Sequence, residues 1–322
     1  MRSPRPWSPD VLDGFEQTTL TLPAAADGPV DVVVVRTAGS PAAAAGGTAA
    51  VLYVHGFGDY FFQAHLARFF EGRGIRFYAV DLRRHGRSWL VHQPPDTTDD
   101  VDEYLADVAA AVRLLVDDEG IEWLVLDGHS TGGLVAVLYA HRGAGREHLV
   151  GVFLNSPFLD MNLPAGQERL LEPVLAFAGR FVPNVTLPGL SPVYGESIHA
   201  DHHGEWTFDL RWKPIEGFPA RAGWFRAIHR AQAEVAAGLA IAVPVLLLHA
   251  ERSSRPTAWS EEAQRTDTVL DVADMVRLAP RLGSRVEVHA IVDGMHDLAL
   301  AAPVPRARMF ELLGDWLDRL RG

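Results

Sequence analysis

Residues 122–142 read EWLVLDGHSTGGLVAVLYAHR, and this stretch decides the fold. The apolar run at 123–126 is too short for a core helix and reads as a buried strand. The run from 134 to 140 carries helix-forming residues and reads as a helix. Between them stands Gly128-His129-Ser130-Thr131-Gly132, followed by Gly133. A serine framed by glycines at a strand-to-helix turn is held on a sharp bend that lifts its hydroxyl above the sheet. The glycines leave no side chain in the way of that bend. The following helix aims its free N–H groups and positive dipole end at the same point. Ser130 is the candidate nucleophile.

Working outward, the strand–helix unit repeats. Candidate strands occur at 15–22, 30–36, 49–54, 76–80, 122–126, 149–154, 243–248 and 286–292, eight in all. The first two flank a turn-rich stretch at 23–29, and 37–48 reads as a surface loop. Helical patterns at 61–72, 102–118, 131–142, 272–282 and 304–320 separate most of the others. Strands alternating with helices predict an α/β fold, a mostly parallel sheet of eight strands with helices on both faces. The rhythm fails over 158–240, which reads as an insertion, a cap or lid, between core segments 1–157 and 241–322. Within it, residues 167–182 have helical spacing, 206–212 alternate as a short extended segment, and 222–237 form a second helix. Trp206, Phe208, Trp212, Trp224 and Phe225 of the insertion, with Phe57, Phe61 and Phe62 of the loop after strand 49–54, are candidates to wall an apolar pocket. Phe61, Trp206, Trp212 and Trp224 are taken as substrate-binding.

A serine hydroxyl needs a base. His296, in Gly294-Met295-His296-Asp297, follows the last strand at the end where such sheets carry reacting groups. His249 and His289 fall at or within strands and read as packing or surface residues. The base needs a carboxylate to orient it. No carboxylate stands directly after strand 243–248 in the expected way. Asp267 and Asp271 are candidates on the following loop, Glu251 is a further one, and Asp160 after strand 149–154 is a topological alternative. Asp271 also suits a helix cap. Two backbone donors should face the developing oxyanion: Thr131 N–H, next to the serine, and Phe57 N–H in His55-Gly56-Phe57-Gly58-Asp59.

Composition narrows the remaining classes. With 322 residues, 48% of them hydrophobic, the chain can bury a large core. Net charge is −12, from 29 basic and 41 acidic residues, which argues against nucleic acid and against docking on anionic membrane. There is no cysteine, so disulfides, thiolate catalysis and Cys-based metal sites are excluded. No secretory signal or apolar run of about 20 residues is visible, so a cytoplasmic protein without integral membrane association is expected. His199, Asp201, His202 and His203 form a polar loop rather than a metal site, since adjacent histidines do not share a face. No Gly-x-Gly-x-x-Gly follows an early strand, and no cofactor is expected. The loop 81–88, DLRRHGRS, reads as an ion-pair turn.

HGFGDY at 55–60, DLRRHGRS at 81–88, GHSTGG at 128–133, DTVLDV at 267–272 and GMHDL at 294–298 together resemble the monoglyceride lipase and lysophospholipase branch of the α/β hydrolases. That branch is often described as serine aminopeptidase-like. The resemblance runs from residue 49 onward, loosely in the insertion. It implies a Ser130–His296–Asp267 triad, Phe57 and Thr131 as oxyanion donors, and hydrolysis of a small apolar acyl ester. The lengthened loop 251–266 departs from the pattern. An aminopeptidase or amidase remains open, with Glu196, Asp201, Glu205 and Asp209 available to a substrate amine. So does a binding protein with an idle triad.

Overall fold

In the computed structural model, residues 5–25, 27–39, 48–161, 182–186 and 191–322 are described. Their strands are β1 (Ser8–Pro9), β2 (Phe15–Ala25), β3 (Gly28–Thr37), β4 (Ala49–Val54), β5 (Arg76–Asp81), β6 (Trp123–His129), β7 (Leu149–Asn155), β8 (Val245–Ala250) and β9 (Val286–Ile291). They form one sheet in the order β1-β2-β3-β5-β4-β6-β7-β8-β9. The eight expected strands are β2–β9, and a two-residue strand is added at the edge. β1, β2, β3 and β5 pair antiparallel in turn, and every other pairing is parallel.

Side chains on a strand alternate between faces, and the core divides accordingly. Leu52, Val80, Leu124, Leu126, Leu154 and Leu247 pack on one face, under α2 (Asp102–Arg113), α3 (Thr131–Arg142) and α5 (Ala222–Ala237). Val51, Tyr53, Phe77, Val125, Phe153 and Leu248 pack on the other, under α1 (Ala64–Glu71) and α7 (Pro303–Arg321). α3 is apolar on all sides up to Ala140 because that part of it lies buried at the centre of its layer. Two further helices, α4 (Val193–Ile198) and α6 (Val272–Leu278), complete the described set.

The parallel strands deliver their carboxyl ends to one edge of the sheet. The loops after β4, β6, β7, β8 and β9 therefore meet there. Between β7 and β8 the described residues add no strand to the sheet; they form α4, α5 and irregular backbone. No described helix is long and apolar enough to cross a membrane.

Several elements differ from expectation. α1 starts at Ala64 rather than at 61, because the Phe61 and Phe62 amides donate to the side chains of Asp81 and Gln63, at 3.1 and 3.0 Å. The segment 206–212 is not a strand. Trp206 makes one isolated bridge to His199, and the chain then turns, with Trp212 N and Lys213 N both donating to Asp209 O. The Asp209 carboxylate locks that turn by accepting from Arg211 N at 2.9 Å. The helix expected over 167–182 lies outside the described residues apart from Val182, as does most of the loop 37–48. α4 arises where no element was expected.

Candidate active site

Ser130 sits at φ 54°, ψ −119°, between the last residue of β6 and the first of α3. A side chain is strained there, and the surroundings hold it. Ser130 N donates to Asn155 O at 3.1 Å, while Ser130 O accepts from Gly133 N and Phe158 N, both at 2.9 Å. The glycines are needed for space. A Cβ on Gly132 would strike the carbonyl oxygens of Val54 and His55, and one on Gly128 would lie 2.6 Å from Gly132 O.

His296 Nε2 lies 3.0 Å from Ser130 Oγ, and His296 Nδ1 lies 2.9 Å from Asp267 Oδ2. A carboxylate only accepts, so Nδ1 carries the proton and Nε2 faces the serine hydroxyl as an acceptor. The other Asp267 oxygen accepts from Val269 N at 2.8 Å and Leu270 N at 2.7 Å. All three residues are buried. The structure thus brings Ser130, His296 and Asp267 together in one hydrogen-bonded line.

The long loop after β8 explains how a carboxylate so far along the chain arrives there. Ser253 and Asp267 form a parallel bridge, with Asp267 N donating to Arg252 O at 3.0 Å and Ser254 N to Asp267 O at 2.9 Å. Residues 254–266 are a detour that returns to its starting point. Asp267 therefore stands close to the end of β8.

The other acidic candidates are engaged elsewhere. Asp271 caps α6, accepting from Ala273 N at 3.0 Å. Asp160 pairs with Arg277, and Glu251 is exposed. His249 is buried with Nδ1 at 2.6 Å from Ala250 O, and His289 meets Glu287 at 2.7 Å. His129 approaches Asn155 O through Nδ1 at 3.2 Å, and its ring centre is 5.0 Å from that of His296. Burial pushes its pKa below the ordinary histidine value, which favours a neutral ring beside the base.

Gly56 lets the loop after β4 approach the serine, since a Cβ there would stand 3.0 Å from Ser130 Cβ. The Phe57 amide has no hydrogen-bond partner among the described residues. Thr131 is the first residue of α3, where the N–H has no partner within the helix. Phe57 and Thr131 both line the same cavity as Ser130.

Ser130 and His296 open into a cavity of about 350 Å³. Phe57, Phe158, Met161, Phe208, Trp224, Phe225 and Leu270 supply much of its wall. Of the four aromatic residues taken as substrate-binding, Trp224 lines the cavity, packed against Phe57 at 4.4 Å. Phe61 does not: it is fully buried in the core between Phe15, Tyr53 and Phe77. Trp206 stacks on His65 at 4.3 Å and donates through Nε1 to Leu300 O, and Trp212 meets Tyr60 edge-on. These two tie the segment between β7 and β8 to the rest of the chain outside the cavity. Period-two spacing cannot tell such contacts from a pocket wall.

Three features escaped the sequence reading. Asp297 Oδ1 accepts from Asn155 Nδ2 at 2.7 Å and from Ala299 N at 3.0 Å, while Asn155 Oδ1 accepts from Leu298 N, so the end of β7 anchors the loop bearing His296. Tyr194 of α4 sets its ring edge-on to His296 at 5.4 Å. Lys213 and Asp59 form a buried ion pair at the cavity wall. The loop 81–88 is dense with ion pairs: Arg83 with Asp107, Arg84 with Asp27, and Arg87 with Asp10 and Asp81. In the His199–His203 loop, His199 Nδ1 accepts from Asp201 N, and His203 stacks on Trp259. Among the described residues no group of three or more His, Asp or Glu side chains could hold a metal ion.

The sheet, the serine turn and the helix layers define an α/β hydrolase. A family model described as serine aminopeptidase, S33, matches residues 47–300, and the chain belongs to that family. Its fold is shared with solved structures of low identity. One is a soluble variant of monoglyceride lipase from Saccharomyces cerevisiae in complex with a substrate analogue, 16% identical, with a TM-score of 0.65 over 94% of this chain and 96% of that one. Another is the monoacylglycerol lipase of Paleococcus ferrophilus, 21% identical, with a TM-score of 0.62 over 84% and 94%. A third is a thermophilic esterase from Thermogutta terrifontis, bound to malate, 17% identical, with a TM-score of 0.59 over 95% and 100%. No curated protein matches the chain in sequence.

Proposed function

We propose that this chain hydrolyses carboxylic esters of apolar acyl groups through an acyl intermediate on Ser130. The observation that carries the reading is the line Asp267–His296–Ser130, with 2.9 and 3.0 Å links, at the mouth of an apolar cavity. Ser130 Oγ attacks the carbonyl carbon while His296 Nε2 takes its proton, and Asp267 stabilises the imidazolium. The Phe57 and Thr131 amides hold the oxyanion; one such donor is worth about 3 kcal/mol of barrier. Collapse returns the proton to the leaving alcohol. Water, deprotonated by His296, then releases the acid and restores the serine.

The cavity wall supports an apolar acyl group over an amine. Glu196, Asp201, Glu205 and Asp209, the carboxylates available to a substrate ammonium, do not line it. Among the described residues the one carboxylate in its wall is Asp59, and it is paired with Lys213 at 2.9 Å. Short-to-medium acyl p-nitrophenyl esters should therefore be cleaved faster than acetate and faster than aminoacyl anilides. A fluorophosphonate should label Ser130 alone, and Ser130→Ala should lose both labelling and turnover while melting as the wild type does. Retained turnover in that variant, or faster cleavage of the anilides, defeats the proposal.

A further inference from the structure

The loop after β4 bears the Phe57 amide, and two residues on it bears Asp59, which is 1% exposed. Asp59 Oδ1 accepts from Tyr60 N and faces Lys213 Nζ, both at 2.9 Å, while Oδ2 has no partner. Lys213 belongs to the insertion. Its side chain is buried too, with Nζ 5.4 to 5.8 Å from the ring centres of Tyr194, Phe62 and Phe208. Next to Asp59, Tyr60 Oη accepts from Asp209 N at 2.7 Å, and the Tyr60 ring meets Trp212 at 5.1 Å. The turn 209–213 is thus fastened to residues 59–60 by an ion pair, a hydrogen bond and an aromatic contact.

Between Phe57 and Asp59 lies Gly58, at φ +59°, with no side chain to brace the backbone. The direction of the Phe57 N–H is then set by what holds the loop on either side. Burying an ion pair is a poor way to gain stability, because desolvating two charges offsets most of their attraction. It is a good way to fix direction in a water-poor site, where a charge pair is strong.

We propose that Lys213 is a positioning residue: by holding the Asp59 carboxylate it aims the Phe57 N–H, so the oxyanion hole is complete only with the insertion seated. This rests on the serine-hydrolase reading of the site. Lys213 acts here through the loop and not on the substrate.

The test compares Lys213→Met, Asp59→Asn and the double variant by turnover of p-nitrophenyl butyrate, fluorophosphonate labelling rate and melting temperature. A misaimed donor should cut kcat of Lys213→Met about 10- to 100-fold and slow labelling to match, with KM within about threefold. The double variant leaves no charge of this pair unpaired, so it should regain melting temperature without regaining kcat. Recovery of kcat together with stability would make the pair merely structural and overturn the proposal. So would a raised KM at unchanged kcat, the mark of a substrate contact. If Lys213→Met does not fold, Tyr60→Phe loosens the second fastening with both charges in place, and an unchanged kcat there overturns the proposal equally. A wild type inert to both ester and fluorophosphonate would instead sink the serine-hydrolase reading, and this inference with it.

Discussion

Replacing Asp267 by asparagine swaps one carboxylate oxygen for an amide nitrogen at a place where the structure specifies what each atom does. Oδ1 accepts from Val269 N and Leu270 N, so the amide oxygen of the variant must stay there to keep both bonds. The amide NH2 then faces His296 Nδ1, where Oδ2 stood at 2.9 Å. A donor against Nδ1 drives the imidazole proton to Nε2, which lies 3.0 Å from Ser130 Oγ. The base then presents a proton to the hydroxyl it should deprotonate. Loss of the correct tautomer lowers turnover by about four orders of magnitude, or about 5 kcal/mol of barrier. Stability should fall only by the lost charge-assisted bond, about 1.5–3 kcal/mol. The assay is kcat on p-nitrophenyl butyrate beside thermal unfolding. Asp160→Asn removes a half-exposed pair with Arg277 and should leave the rate intact. Asp271→Asn should spare both rate and stability, since asparagine caps a helix as well as aspartate does. If Asp267→Asn keeps more than about a tenth of the wild-type rate, against the loss expected for a wrong tautomer, the assignment of the acid is wrong.

Asp127 is fully buried on β6 with neither carboxylate oxygen hydrogen-bonded, and burial, with the Asp297 charge second, holds its pKa well above the usual carboxylate range. The folded state keeps a proton that the unfolded chain gives up near pH 4, so stability falls by about 1.4 kcal/mol per pH unit above that, up to the folded pKa. Asp127→Asn should therefore melt higher than wild type at pH 7 to 8 and no higher near pH 4; a gain independent of pH would contradict this. Trp224→Phe enlarges the cavity wall and removes a buried, unpartnered indole N–H. It should raise the octanoate-to-butyrate ratio of kcat/KM about 5- to 10-fold, the worth of roughly one methylene, at little cost in melting temperature; an unchanged ratio would place the acyl chain elsewhere. Gly132→Ala drives a methyl into the carbonyls of Val54 and His55. It should cost about 3 kcal/mol or more by overpacking, seen as a lower denaturation midpoint together with lost turnover.

The middle of the sheet was legible because β4 to β8 are buried on both faces and so read as unbroken apolar runs, as at 123–126 and 149–154. The serine and histidine were legible for another reason: each stands in a short loop at a strand end, where position along the chain nearly equals position in space. Asp267 stood as one of several candidate carboxylates because the tie between Ser253 and Asp267, which brings it to His296, cannot be read from spacing. The aromatic residues of the insertion were the least legible. Trp206 and Trp212, like Phe61 of the loop after β4, offer the same kind of aromatic surface as Trp224, and only packing separates a core ring or a seam between segments from a cavity wall. Nothing in the spacing of Asp59 and Lys213 hints that they meet, since one lies in the loop after β4 and the other in the long segment between β7 and β8, and they pair through folding alone.

The detour between Ser253 and Asp267 has a consequence for how such a chain can change. A loop tied at its base can vary in length almost freely, since each doubling costs only about 0.6 kcal/mol of closure entropy. Asp267 keeps its place whatever hangs beyond the tie. Spare length at that point is raw material, and here it has been put to use: Gln264 donates to Ser197 O and His203 O, at 3.0 and 2.6 Å. The same excursion that carries the chain away from the acid comes to rest as a prop beneath α4, the helix whose Tyr194 covers the histidine.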